Sequence, residues 1–420
     1  MSHPSASDPA DPAGTSPPVS GYYSALKTGF QETTRRVQEM HRAIADLSFQ
    51  AARWMPPGLA GPARLVKNAH DTITDGVYAA IRQSGGGLLA AAAWLEQRAA
   101  ANAPAPTAPP SRLAIGLRSA LNAAVGDHLA SSANPLAITM GFYAAGYHPI
   151  PLTAASLRAH LPDPGDHLCI FIHGLGCDEQ SWQSSVAKTA GDAPSPPYGA
   201  RLQADLGYTP LYLRYNTGLP IADNSHQLAR LLCDLLAAWP RPLRELVLIG
   251  HSMGGLVARG ACDEAAAKNL PWLKPTRMVI CLGSPHRGAP LAKLGHLATA
   301  ALHLSKVTAP LAKIAAARSA GVKDLRHGLR AQEERTQAAA MASSVAYRFI
   351  SANLTEDPDH PLGHILGDGL VTLGSATPPK LADDVDSVRL GGLGHMALLN
   401  EPRAYEWIRQ WLGVPGERDR

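Results

Sequence analysis

The sequence is poor in charge, in cysteine and in long apolar runs, and each shortage removes a class of protein. Charged residues are 17% of the 420, and 38 basic residues nearly balance 34 acidic ones for a net charge of +4. With no dense Lys/Arg run and no interleaved aromatic platform, a nucleic-acid partner is not expected. Hydrophobic residues still make up 45%, enough for a large core and too many for wholesale disorder. The five cysteines, Cys169, Cys177, Cys233, Cys262 and Cys281, are odd in number and lack CxxC spacing. They suggest neither a zinc site nor a full disulfide set, so a reducing, cytoplasmic setting is expected. The most apolar short stretch, Leu88 to Leu95, runs for about eight residues where a membrane helix needs about 20, and no transmembrane helix is expected. Met1 to Ser20 is rich in Pro, Ser, Ala and Asp, without a basic n-region or an apolar h-region, and does not read as a secretory signal.

What is present divides the chain into one core of about 250 residues and several appendages. Residues 1–20 read as a solvated tail, and the Pro/Ala-rich stretch 101–111 as a semi-stiff linker. Between them, in 21–100, Tyr22, Leu26, Phe30, Val37, Met40, Ile44, Leu47 and Trp54 recur at helical spacing up to Pro56-Pro57-Gly58. A second run, Val66, Ala69, Ile73, Val77 and Ile81, repeats it, which predicts an amphipathic helical hairpin packed on itself, on the core or on another copy of the chain. Peripheral contact with a membrane or lipid inclusion is the other reading of that face. Residues 112–160 read as a helical lead-in broken at Asn134-Pro135. In 161–415 the short apolar runs Leu168–Ile172, Pro210–Tyr215, Glu245–Ile249, Met278–Leu282 and Tyr347–Ile350 alternate with helical stretches. That alternation predicts a mostly parallel sheet covered by helices on both faces. The helical stretch 291–342 is longer than an ordinary crossover and suits a lid.

A serine hydroxyl is a poor nucleophile until a base takes its proton, so serine chemistry needs a serine, a histidine and an acid gathered from different loops. Ser252 follows the apolar run Glu245–Ile249 and precedes the helix-compatible run Leu256–Ala261. That is the strand-turn-helix context of a nucleophile elbow, in which Gly250 and Gly254 flank His251, Ser252 and Met253 so that strand and helix approach closely.

The stretch Gly250-His251-Ser252-Met253-Gly254-Gly255 resembles the elbow of lipases and esterases of the α/β-hydrolase superfamily. His173-Gly174-Leu175-Gly176 is similar to that family's oxyanion loop, and Leu282 to Ala289 to the segment after the next strand, as in GPI inositol-deacylase-like hydrolases. Gly367-Asp368-Gly369-Leu370-Val371 is similar to the Asp-Gly-x-Val motif of bacterial triacylglycerol lipases. The resemblance covers about Leu168 to Leu412. It implies an α/β-hydrolase fold, to which the helical stretches read above would add a helical lid insertion and an N-terminal helical extension, and it says nothing about what residues 1 to about 160 do. It implies Asp368 as the acid, ahead of Asp357, Asp359, Asp383, Asp384 and Asp386, and His395 in the Gly391–Leu399 loop as the base. His360 and His364 precede Asp368, the wrong side for the family's chain order. Met253 and Leu175, with Gly176 as second choice, are implied as backbone donors to the oxyanion. His173, His251 and His286 read as structural histidines, and Cys177 as a bystander near the mouth. No cofactor is expected. Some triacylglycerol lipases hold a structural calcium near the histidine loop, but no convincing ligand pair is found here and no metal is expected.

The function these residues imply is a serine carboxylester hydrolase acting on lipid-like esters through an acyl-enzyme. Acyl transfer or amide hydrolysis on the same triad is a second reading. A third is a lipid-surface interaction protein whose hydrolase site is disused. The apolar face of 21–100 generates one expectation, because burying each of its larger side chains contributes roughly 1.5–3 kcal/mol. Its basic residues Lys27, Arg35, Arg36, Arg42 and Arg53 are partly offset by Glu32, Glu39 and Asp46, which favours a protein surface over anionic lipid. Deleting residues 1–105 should therefore lower solubility or the thermal midpoint, read by sedimentation and calorimetry. A truncated enzyme that stays soluble and loses activity only on emulsified esters would assign the face to lipid instead.

Overall fold

The five apolar runs become the central strands of one sheet in the computed structural model of the chain. The structure describes residues 112–413 apart from 145–148, 162, 184–194, 290–318, 328–344, 358–359, 362–365 and 377–384, and five positions before them, Lys27, Gln31, Arg35, Gln38 and Asp75. The tail, the linker, most of the N-terminal helical segment and most of the 291–342 insertion lie outside the described residues. In the N-terminal unit the five described positions are helical, and the buried Gln38 side chain donates a 2.8 Å hydrogen bond to Asp75 Oδ1.

The second unit opens with helix α1 (Arg112–Ser131), the short strand β1 (Gly141–Tyr143) and α2 (Ala154–His160). Strand β2 (His167–Ile172) leads through a 3-10 turn, Glu179–Gln183, to α3 (Tyr198–Leu206), β3 (Thr209–Arg214) and α4 (Ile221–Ala238). Then come β4 (Glu245–His251), α5 (Met253–Lys268) and β5 (Thr276–Leu282). Helix α6 (Ala320–His327), β6 (Ala346–Asn353), α7 (Leu373–Ala376), β7 (Val385–Gly391) and α8 (Pro402–Gly413) complete it. The sheet order is β1-β3-β2-β4-β5-β6-β7, parallel throughout except for β1, which runs antiparallel to β3 at one edge. The segment set apart from sequence as a helical lead-in thus supplies this unit with an edge strand and two helices.

Period-two alternation splits the strand side chains between two cores. Leu168, Ile170 and Ile172 of β2 join Leu246 and Leu248 of β4 on one face, where Leu228, Leu232 and Leu235 of α4 and Leu256, Ala261 and Ala265 of α5 cover them. Cys169 and Phe171, Val247 and Ile249 point to the other face, under Tyr198 and Leu202 of α3 and Tyr405 and Ile408 of α8. A sheet buried on both faces explains why these strands read as continuous apolar runs rather than alternating ones. Strand β7 departs from that rule. It lies at the other edge, only Leu390 and Gly391 are buried, and Asp386 is exposed, so no apolar run announces it.

One ion pair is sunk into this framework. Arg214, the last residue of β3, donates through Nε to Glu179 Oε2 at 2.6 Å and through a terminal nitrogen to Glu179 Oε1. Glu179 is 1% exposed and Arg214 7%. The pair ties the turn after β2 to the end of β3, and the guanidinium also lies 4.1 Å from the ring centre of Tyr143 on β1. Removing one member of a buried pair leaves the other desolvated without compensation. Glu179→Ala should lower the free energy of unfolding by about 3–5 kcal/mol in urea denaturation.

Candidate active site

The strands of the parallel sheet end at one edge, and the loops leaving that edge carry the residues singled out from the sequence. Ser252 stands alone between β4 and α5 with φ 54 and ψ −123, a left-handed conformation that costs a non-glycine residue about 1–3 kcal/mol. Its neighbours leave little freedom to relax. A Cβ on Gly250 would lie 2.4 Å from Gly255 N, and one on Gly254 would lie 2.2 Å from Ile172 O. The helix start therefore presses on the end of β2, which no other residue type permits. Ser252 N also donates to Leu282 O at 2.8 Å, fixing the turn to the end of β5.

His395 opens a 3-10 turn, His395–Leu399, after the Gly392–Gly394 bend that follows β7. Its Nδ1 lies 2.7 Å from Asp368 Oδ2, and its backbone N donates to Asp368 O at 3.0 Å. Asp368 Oδ1 accepts from the backbone N–H of Leu370 at 2.9 Å and of Val371 at 2.8 Å. Burial pushes the Asp368 carboxyl up, but the charge and hydrogen bond of His395 and those two amides outweigh it, and the group is held below the usual carboxylate range. An ionised Asp368 accepts at both oxygens, so Nδ1 of His395 carries the proton and Nε2 presents its lone pair. That Nε2 is buried and has no hydrogen-bond partner among the described residues. Ser252 and His395 line one pocket with Gly174, Leu175, His251 and Met396.

Three other buried histidines, His173, His251 and His286, are held uncharged by burial. His251 Nε2 lies 3.1 Å from the carbonyl of His395, so it donates there, and the two rings are 4.7 Å apart with the edge of Trp182 on the His251 ring. Burial, then the charge of His395, pulls His251 down to about 3. His173 donates through Nδ1 to Gly174 O at 3.0 Å, stacks on Tyr215, and burial brings it down to about 3 as well. His286 receives the Arg259 guanidinium at 2.6 Å, and burial holds it well below the usual histidine value. Cys177 also lines the pocket, but burial pushes its thiol up to about 12, so it remains protonated.

Backbone donors complete the arrangement. Met253 is the first residue of α5, a position whose N–H has no intrahelical acceptor, and Ser252 gives the helix no side-chain cap. In the His173–Asp178 loop, Gly176 N donates to the buried Thr217 Oγ1 at 3.2 Å, whereas the N–H of Leu175 has no acceptor among the described residues. Of the residues singled out from the sequence, Ser252, His395 and Leu175 thus line one pocket, Asp368 pairs with His395, Met253 follows Ser252 at the start of α5, and Gly176 N is held by Thr217. Of the competing acids, Asp386 accepts from the Trp411 indole at 2.9 Å, and Asp359, Asp383 and Asp384, like His364, lie outside the described residues. Thr217 and the Glu179–Arg214 pair had no sequence signal: their partners lie 41 and 35 residues away, and the residue types are ordinary. Among the described residues no group of three or more His, Cys, Asp or Glu side chains is placed to hold a metal, and no helix is long and apolar enough to cross a membrane.

The sequence profile described as Alpha/beta hydrolase family matches residues 169–406. No curated protein matches the sequence. Among solved structures, the mature lipase BlEst2 of Bacillus licheniformis is similar at 21% identity over 60% of this chain and 94% of that one, with a TM-score of 0.43. A lipase-esterase related protein from Clostridium acetobutylicum is 14% identical over 59% of this chain and 94% of the other, with a TM-score of 0.38. A thermophilic esterase from Thermogutta terrifontis is 16% identical over 60% and 90%, with a TM-score of 0.36.

The loop that carries Leu175 ends on a carboxyl that resists ionisation. Burial, and then the charge of Glu179, raise Asp178 to about 6, although Gln180 N donates to it at 2.9 Å and the Ser119 hydroxyl lies 3.2 Å away. A carboxyl raised by folding favours the folded state at low pH and loses that favour as pH climbs through the folded value. The window here runs from about pH 4 to about pH 6, and the loss is of the order of 3 kcal/mol. Asp178→Asn should flatten the decline in stability across that window and leave the protein more stable than wild type at pH 7, as read from urea unfolding at each pH. A variant with an unchanged pH profile would show that Asp178 ionises at its ordinary value.

Proposed function

The chain belongs to the alpha/beta hydrolase family, and from that premise we propose that it is a serine carboxylester hydrolase, an esterase or lipase, working through an acyl-enzyme at Ser252. One observation carries the reading: His395, paired through Nδ1 with a buried, ionised Asp368, lines the same pocket as Ser252 and keeps an Nε2 that has no hydrogen-bond partner among the described residues. In the proposed reaction His395 Nε2 takes the hydroxyl proton as Ser252 Oγ bonds to the ester carbonyl carbon. The oxygen gains negative charge and is met by the N–H groups of Met253 and Leu175, each worth about 10²–10³ in rate if removed. Collapse breaks the bond to the alcohol, which leaves with the proton from His395. Water then repeats the sequence, giving its proton to Nε2 and its oxygen to the acyl carbon, and Ser252 is released with the free acid. Asp368 holds the ring in the required tautomer and offsets its positive charge in both halves.

The absence of a hydrogen bond between Ser252 and His395 is compatible with this reading, because such contacts tighten when substrate arrives. Leu175 and Met396 give the pocket apolar walls, which supports a lipid-like acyl group. The five cysteines are all free thiols, which supports a cytoplasmic location.

Ser252→Ala should abolish hydrolysis of a simple aryl ester while the protein stays folded, since one oxygen leaves the turn. Asp368→Asn and His395→Ala should each lower kcat by about 10³–10⁵, and combining either with Ser252→Ala should add almost nothing, because the three act as one unit. Wild-type turnover by the serine variant would move the nucleophile elsewhere. Recovery of an acylated alcohol or amine in place of free acid would move the reaction to acyl transfer.

A further inference from the structure

Resting on the reading just given, we propose that Thr217 is a positioning residue that selects which amide of the His173–Asp178 loop serves the oxyanion. Two successive N–H groups of that loop are not equivalent. That of Gly176 is spent on Thr217 Oγ1 at 3.2 Å, and Gly176 adopts φ +71, which turns the peptide plane between it and its neighbour. That of Leu175, a residue lining the pocket, has no acceptor among the described residues. A buried amide is almost never left unpaired, so the Leu175 N–H on the pocket, without an acceptor among the described residues and next to a paired Gly176 N–H, is available to a ligand oxygen.

Thr217 is fit to impose this choice because its loop is held on several sides. It is 1% exposed and follows β3 in a loop fastened from several directions. Asn216 Nδ2 donates to Gly126 O of α1 at 2.9 Å, Asn224 of α4 donates to Asn216 O at 3.0 Å, and Gly218 N returns to Asn216 Oδ1 at 3.0 Å. Helix α6 closes the loop from another side. Gly321 N donates to Gly218 O at 3.1 Å, and a Cβ on Gly321 would lie 2.2 Å from Thr217 O. Asp324 Oδ2 accepts from Ile221 N at 2.9 Å, and Asp127 Oδ2 from Ala320 N at 3.0 Å, so α6 is itself anchored at both α4 and α1. The hydroxyl oxygen of Thr217 is thus a fixed point against which the loop is registered.

Thr217→Val keeps the shape and deletes the acceptor. Gly176 N–H then lacks a partner, the loop relaxes, and Leu175 N–H loses its aim at the position where charge develops. Since the contact is made only in the transition state, kcat for an aryl ester should fall by about tenfold while KM stays within about twofold, less than the 10²–10³ for losing a donor outright. Affinity for an arylboronic acid, which bonds to a serine oxygen as a tetrahedral anion, should fall by the same factor as kcat. Thr217→Ser, which restores the oxygen without the methyl, should recover both. A purely structural role would instead follow the methyl group and move KM and kcat together. Wild-type kcat and boronate affinity in Thr217→Val, or equal losses in the Val and Ser variants, would overturn the assignment. Should Thr217→Val not fold, Thr217→Ala compared with Thr217→Ser gives the same contrast. A wild-type enzyme without ester hydrolysis, or one indifferent to Ser252→Ala, would remove the underlying reading and this inference with it, whereas a normal Ser252 dependence with an unaffected Thr217→Val removes this inference alone.

Discussion

The close approach of helix α5 to the ends of β2 and β4 is the constraint on which the rest of the site depends. Gly254 sits against the carbonyls of Ile172 and His173, and Gly250 against the backbone of Gly254 and Gly255, at distances where a Cβ has no room. Because the chain must reverse within that space, the residue between them, Ser252, is driven to positive φ and stands out from the turn. The same contact brings the loop after β2 beside it. The remaining groups arrive by the topology of a parallel sheet, whose strands all release their loops at one edge. Asp368 comes from the loop after β6 and His395 from the bend after β7, more than a hundred residues from the serine.

Within this edge the electrostatics are divided so that one base is available. Four histidines are buried there, and three are committed: His173 to Gly174 O, His251 to His395 O, and His286 to Arg259. Burial keeps His173 and His251 neutral at physiological pH. Asp368 stays ionised in spite of burial because each of its oxygens is satisfied, one by His395 and one by two amides. A proton arriving at His395 Nε2 would therefore meet a fixed negative charge behind the ring, the condition that the proposed general base requires.

How far the sequence discloses this follows from where the information is local. The five central strands are legible because burial on both faces makes each a continuous apolar run, and the elbow is legible because its chemistry lies within five successive residues. Strand β7 is not, since an edge strand with Asp386 and Arg389 outward carries no such run, and β1 is only three residues long. The reach of β4 through Gly250 and His251 is also hidden, because the pairing of those residues with β5 owes nothing to side-chain pattern. Asp368 is singled out only by likeness to a motif. Several acids lie within thirty residues of it, and the one that meets His395 is decided by a turn held through Gly367 at φ 58 and Gly369 at φ 92. Thr217 and the Glu179–Arg214 pair are silent in sequence for the same reason, because each depends on a partner brought near only by the sheet.

Ser252 stands as the proposed nucleophile of the assembled site. Its most direct test is to treat the full chain with a fluorophosphonate, then measure the intact mass and map the labelled peptide. A single adduct is expected, on Ser252, formed at a rate that falls when Asp368 is replaced by Asn. An ester-hydrolysing preparation that takes up no label, or takes it up on another residue, would contradict it.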